Sequence, residues 1–506
     1  MDQSPPRTAG RIARTLRRLG AALVVAVLAV LAWSWWSSRL PASYSATEMG
    51  LPVTGLASNG HDRGHGPGGH ASPGTTALPV TALVDPAKGP ADVRVTLVAK
   101  AAQITPTNGK QFDGYTLNGT TPGPEIRARQ GDLVEVTLRN ADVAGGVTLH
   151  WHGVDVPNAM DGVAGVTQDA VTPGASFTYR FVAQDTGTYW YHSHQISHRQ
   201  VAAGLYGSFI VEPATKPGTS SDDAVMLLHT YPSNSRAVNG TVGEVRRDAA
   251  PGEKVRVRVT NTDNGNTAAW VTGGAYRLLA IDGTDVNRPT PVRDTKVALT
   301  GGGRADLEVT VPSSGAVRVQ APGVSLVIGP KDATAPETGS PTATLDPLSY
   351  GTPTGLGFDP TTPDRRFALA VGRRPGFLDG RPGYWWTING HTGASVPMYL
   401  VSEGDVVAMR ITNSSGQSHP MHLHGHHMVV LARDGVAATR SPWWVDTLDV
   451  DHGQTFEVAF VADNPGIWMD HCHNLPHARE GLMTHVMYEG VTTPFRLGPS
   501  SGNEPE

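Results

Sequence analysis

The octet LVEVTLRN, residues 133–140, alternates aliphatic and polar side chains and follows a Gly131-Asp132 turn pair. A period of two is the mark of a strand with one face in a core and the other toward water. The pattern returns as VRVTLVA (93–99), SFTYRFVA (176–183), KVRVRVTN (254–261), VVAMRITN (406–413) and TFEVAFVA (455–462). From Ala91 onward no 3.6-residue period is sustained, and Gly, Pro, Asn and Asp bound the runs. The sequence therefore predicts an all-β chain of sandwich or barrel domains.

Around that octet lies a repeat. TLNG (116–119) leads through Gly131-Asp132 to LVEVTLRN and then His150, and TING (387–390) leads through Glu403-Gly404-Asp405 to VVAMRITN and then His419 and His422. Between them Asn239-Gly240 leads to KVRVRVTN and then AAWVTGG (268–274), which holds no histidine. Self-similarity at this spacing implies three β modules, at 88–215, 222–333 and 365–490. The outer two are expected to carry metal chemistry and the middle one to act as a spacer without ligands. The Pro/Thr/Gly-rich stretch 334–364 reads as a connection and 491–506 as a tail.

Five arginines, Arg7, Arg11, Arg14, Arg17 and Arg18, precede the uncharged run Leu19 to Trp36, which ends in Trp33, Trp35 and Trp36. A basic flank before an apolar run directs a chain to a membrane. Residues 1–40 are read as a basic tail with an uncleaved anchor, the alternative being an export signal that is removed. Arg17-Arg18 also permits twin-arginine export. Each reading puts the remaining chain outside the cytoplasm, on the membrane or secreted. Residues 41–87 are rich in Gly, Pro, Ser and His and read as a disordered tether, on which His61, His65 and His70 are incidental.

Lys+Arg 40 against Asp+Glu 45, with no dense basic run beyond the N-terminus, leaves nucleic acid without a surface to bind. A single cysteine, Cys472, rules out an intramolecular disulfide. Histidine dominates instead, with 20 in the chain and four clusters: His150-Trp-His152, His192-Ser-His194, His419-Pro-Met-His422-Leu-His424, and His471-Cys472-His473 with His477. In a strand a His-x-His pair aims two imidazoles into one cavity, and such carboxylate-poor sets suit copper, zinc, iron or nickel. Structural zinc would use four ligands, often several of them cysteines. Cys472 points away from the face shared by His471 and His473, so this tripeptide serves two sites. With His419 and His477 the thiolate forms a His2Cys set, the trigonal arrangement of blue copper. On the other face eight histidines exceed what one ion uses.

HWHG, WYHSH, HPMHLHGH and HCHNLPHAREGLM resemble, in order and internal spacing, the four signature segments of the multicopper oxidases, a laccase-like family, over about residues 90–490. The resemblance implies three cupredoxin-like Greek-key domains and four copper ions. His419, Cys472 and His477 would bind type 1 copper and His150 and His422 type 2 copper. His152, His192, His194, His424, His471 and His473 would hold the type 3 pair. It further implies oxidation of a small donor coupled to four-electron reduction of O2 to water. The donor would be a phenol, an aromatic amine, or Cu(I), Fe(II) or Mn(II). Two-domain copper nitrite reductases lack this full set of His-x-His pairs.

The sequence departs from the family at two places. The axial position of type 1 copper falls on Leu482, a non-ligand implying a high reduction potential, with Met483 one place further on. Asp161 matches the family's proton-delivering carboxylate, so Cys472, His471, His473 and Asp161 are the catalytic candidates. A second carboxylate that many bacterial relatives carry is replaced by Ala478, leaving Glu480 or Asp169 as substitutes. Donor contacts are expected at His477, Pro476, Trp443 and Trp444. Neither a Met-rich insertion nor a carboxylate trio marks a dedicated metal-ion funnel. The competing readings are an extracytoplasmic copper-binding or copper-tolerance protein with little turnover, motivated by the His-rich tether, and a structural β-repeat adhesin.

Overall fold

The structure, a computed structural model, describes residues 7–50, 52–56, 77–215 and 222–506. His61, His65 and His70 lie outside the described residues.

The repeat in sequence is a repeat of strand pairing. In the first module Val93–Ile104 runs parallel to Leu133–Asn140, which is antiparallel to Ser176–Val182. The second repeats this with Asp222–Thr230, Lys254–Asn261 and Arg304–Thr310, the third with Arg365–Leu378, Val406–Asn413 and Thr455–Val461. The partner sheets repeat equally: Ile126–Arg129, Tyr206–Glu212, Gly187–His192 and His150–His152 pair in the order in which Met398–Val401, Met483–Tyr488, Ile467–Cys472 and His419–Leu423 do. Each module thus closes two sheets over one apolar core, the interior of a β-sandwich.

The Asn-Gly dipeptides that revealed the repeat are its turns. Asn118-Gly119, Asn239-Gly240 and Asn389-Gly390 all have positive φ at both residues, as a type I′ hairpin turn requires. In each, the Asn Oδ1 accepts from a backbone N–H (Val98, Leu227, Ala370; 2.7, 2.9 and 2.7 Å) and the Nδ2 donates two residues earlier. The side chain locks the turn to the neighbouring strand.

At the N-terminus Arg7–Ser37 is one helix, and its apolar part, Arg14–Ser37, is 24 residues long with none of its apolar window buried. At 1.5 Å per residue that is about 36 Å, enough to cross a hydrocarbon layer of about 30 Å. Residues 41–50 and 52–56, the start of the stretch read as a tether, are docked on the third module. Ser45 and Glu48 form a capping box, Pro52–Val53 adds a parallel strand beside Met398–Val401, and Arg365 donates to Thr54 O at 3.0 Å. Ala46 and Met49 sink into the third module's core. Composition misleads here because a few apolar anchors and borrowed strand pairing order this segment, with no core of its own.

Candidate metal centre

Both outer modules present their histidines from paired strands. His150 pairs with His192 across His150–His152 and Gly187–His192, and His422 pairs with His471 across His419–Leu423 and Ile467–Cys472. The two sheets meet, and these four together with His152, His194, His424 and His473 are all at most 1% exposed. Two triads form between modules, His152, His192 and His473 in one and His194, His424 and His471 in the other, each with ligand atoms within 4.8 Å. His150 and His422 bring their Nε2 atoms to 3.4 Å.

Tautomers follow from the acceptors. His150 Nδ1 donates to Asp161 O at 3.0 Å, and His422 Nδ1 donates to Asp446 O at 3.0 Å. A carbonyl can only accept, so each Nε2 carries a lone pair aimed at the other. His471 Nδ1 faces Cys472 O and His424 Nδ1 faces both Asp161 oxygens at 3.1 Å, which leaves their Nε2 lone pairs 3.2 Å apart. His152 Nδ1, His192 Nε2 and both nitrogens of His194 and His473 are buried without a hydrogen-bond partner among the described residues. Burial first, then the neighbouring imidazoles, pushes His192, His194, His424, His471 and His473 well below the usual imidazole range. Neutral rings with converging lone pairs repel one another unless cations sit between them, so the donor set fits metal ions with a taste for imidazole.

On the opposite face of the same tripeptide, Cys472 Sγ lies 3.6 Å from His419 Nδ1 and 3.8 Å from His477 Nδ1, and the two nitrogens are 3.2 Å apart. That triangle suits one thiophilic ion. Burial holds His419 down to about 3 and His477 to about 4, with the Arg373 guanidinium adding to both. Leu482 is fully buried in the core that contains Cys472, and its carbonyl accepts from Cys472 N at 3.0 Å. Met483 pairs with His471 and is only half-buried.

Supporting residues with no local sequence signal complete the site. Asp446 Oδ1 accepts from His152 Nε2 at 3.2 Å, and Arg304 of the middle module clamps the same carboxylate with two bonds of 2.8 and 2.6 Å. Burial opposes ionisation, but Arg304 and His152 hold Asp446 well below the carboxylate range. Gly302 packs against His152 and His473 so closely that a Cβ would lie 2.9–3.0 Å from them, and its carbonyl accepts a hydrogen bond from Trp190 Nε1. The middle module is therefore more than a spacer. It supplies no candidate ligand but braces two of them, because its 299–306 turn reaches the seam between the outer modules.

Three further expectations change. Glu480 accepts from Trp386 Nε1 at 2.8 Å beside the thiolate site, and Asp169 accepts from Asn503 on the surface, so neither faces the eight-histidine cluster. Besides Asp161 and Asp446, the carboxylate found there is Glu506, whose Oε1 lies 3.4 Å from His471 Nδ1 and whose Oε2 accepts from Ser197. Trp443 and Trp444 lean on Phe456 and Phe358, whereas the ring over His419 and His477, at 4.7 and 4.5 Å, is Trp386.

Two family models described as multicopper oxidase match residues 98–216 and 366–490. The structure of Lac15 from a marine microbial metagenome is similar at 30% identity and a TM-score of 0.58, over 78% of this chain and 99% of that one. Multicopper oxidase MmcO of Mycobacterium tuberculosis is 28% identical over 78% of this chain and 87% of its own, and Laccase-1 of Botryotinia fuckeliana 27% identical over 72% and 77%. The chain belongs to the multicopper oxidase family. It is a copper-dependent oxidoreductase that uses O2, and its cofactor is four copper ions: one type 1, one type 2 and a type 3 pair.

Proposed function

We propose that His419, Cys472 and His477 hold type 1 copper, His150 and His422 type 2 copper, and that the triads His152/His192/His473 and His194/His424/His471 hold one type 3 ion each. The observation that carries this reading is Cys472 at the apex of one triangle while its neighbours His471 and His473 join the two triads of the other site. The bound coppers would supply one-electron acceptance at one site and four-electron reduction of O2 at the other. The chain's own part is orientation and wiring: the backbone from Cys472 to His471 and His473 is the short covalent link between the sites, and the fully buried Asp161 holds both His150 and His424 by Nδ1. Asp161 is also the carboxylate best set to deliver protons to the cluster. Leu482, buried beside Cys472, would face the type 1 copper without offering it a ligand.

Phenols or aromatic amines are the proposed donors, since the Trp386 ring packs 4.5 Å from the partly exposed His477. Metal ions such as Cu(I), Fe(II) or Mn(II) are the alternative class. The helix Arg7–Ser37 is proposed as a membrane anchor, with arginines on the cytoplasmic side and the three modules outside. The test is oxygen uptake by the copper-loaded protein offered a methoxyphenol, ferrous ion and cuprous ion in turn, with peroxide assayed in parallel. Uptake without peroxide is expected, fastest with the phenol. Cys472→Ser is expected to abolish both the blue absorption and turnover, and retained turnover would overturn the ligand assignment.

A further inference from the structure

The anchor helix does not stand apart from the oxidase. It ends on the tip of the long hairpin Arg365–Leu378/Arg381–Ile388, a type I′ turn with Asp379 at φ 47° and Gly380 at φ 72°. Asp379 N donates to Ser38 O at 3.0 Å, Gly380 N to Ser38 Oγ at 3.1 Å, and Leu40 N to Asp379 Oδ1 at 3.3 Å. Between helix end and hairpin lies a groove of about 510 Å³ lined by Trp33, Ser34, Arg374, Phe377, Trp385 and Thr392, among others. That volume is ordinary for a small-molecule site, and aromatic walls with a few hydroxyls and the two guanidiniums of Arg39 and Arg374 suit a ring bearing phenolic oxygens.

The same hairpin leads to the thiolate site. Trp385 lines the groove, and its neighbour Trp386, turned to the other face of the strand, covers His419 and His477 beneath the Arg373 guanidinium 4.3 Å away. Leu378, also in the groove wall, lies against Gly481, the residue before Leu482. One end of the groove is thus built by the last turn of an apolar helix whose tryptophans suit a membrane interface, and the other by the strand that covers the type 1 histidines.

We infer that this groove is the docking site of a lipid-tailed hydroquinone, held with its ring between Trp33 and Trp385 and its tail along the helix into the bilayer. The inference rests on the anchor and ligand assignments proposed above. Each hydroquinone gives two electrons, one at a time, and two protons, and leaves as the quinone. Two of them supply the four electrons and four protons that turn one O2 into two waters.

The experiment uses the full-length chain in phosphatidylcholine vesicles with an azido-decylbenzoquinone photolabel and, separately, decylbenzohydroquinone and dimethoxyphenol as donors. Labelled peptides are expected from residues 33–40 and 374–385. Ala394→Trp, which fills the groove from an exposed turn, is expected to cut labelling about tenfold, and to lower the ratio of decylhydroquinone to dimethoxyphenol kcat/KM by about the same factor. Gly376→Trp, where a side chain meets open space, is the second variant and should act alike if the first does not fold. Labelling elsewhere, or an unchanged ratio in a blue, folded variant, overturns the site. Failure of the chain to float with vesicles overturns the anchor reading and the proposal together. Absence of oxygen uptake even with dimethoxyphenol overturns the oxidase assignment instead.

Discussion

Asp161 shows how much one side chain arranges. It is fully buried, touches the Nδ1 atoms of both His150 and His424, and thereby turns two Nε2 lone pairs toward the cluster. Asp161→Asn keeps an acceptor but removes the charge and the exchangeable proton. Reoxidation of the reduced protein by O2 is expected to slow about 10–100-fold, with the blue absorption intact, in stopped-flow. Loss of the blue band as well would move Asp161 out of this role. Leu482 tests the other site: Leu482→Met offers the copper a thioether, and redox titration is expected to give a lower type 1 potential. Both residues were legible in the sequence by their offset from histidines. Their partners were not.

At the level of elements, turn chemistry and strand parity account for most of what the chain builds. Asn118, Asn239 and Asn389 occupy one structural position in three modules, each making two side-chain bonds from a positive-φ conformation. Replacing any one by Ala is expected to cost about 1–2 kcal/mol from the lost bonds and the left-handed backbone, read as faster amide hydrogen exchange within that module alone. Gly162 is more demanding, since a Cβ there would sit 1.7 Å from Leu149 O. That glycine lets the loop fold back so that Asp161 reaches His150. Parity explains why Cys472 and His471, adjacent in sequence, serve different sites. The docked segment after the N-terminal helix shows where element reading fails: Pro52–Val53 has no strand pattern of its own and is ordered by an edge it borrows.

Across the whole molecule the modules are tied by charge. Arg304 reaches from the middle module to Asp446 of the third, and Asp446 in turn holds His152 of the first. Arg304→Met would take from the buried Asp446 carboxylate its only guanidinium and both of the short bonds it makes, and is expected to cost about 3–5 kcal/mol in thermal unfolding, and to weaken copper retention at the cluster before the type 1 site. His427 makes a second tie, between Asp155 and Asp446. Burial lowers its affinity for the proton, but those carboxylates prevail and raise it to about 9. A folded value above the unfolded one gives stability that is complete below about pH 6.5 and lost as pH rises through 9. His427→Gln is therefore expected to lower the melting temperature more at pH 6 than at pH 10, and equal losses at the two would overturn the charged tie.

The sequence by itself determined the strands, the three-fold repeat, the turns that close it and the identity of the metal-seeking side chains. These are local properties of period, turn residue and ligand type, readable wherever they fall along the chain. Only the tertiary structure decided which histidines meet, that Arg304 and Asp446 brace them, that Trp386 rather than Trp443 or Trp444 covers the thiolate site, and that the N-terminal helix ends on the hairpin that carries Trp386. Those outcomes depend on two sheets facing across a module seam and on contacts between residues more than a hundred positions apart. Nothing in a short window of sequence carries such distances, because packing, not propensity, selects the partner.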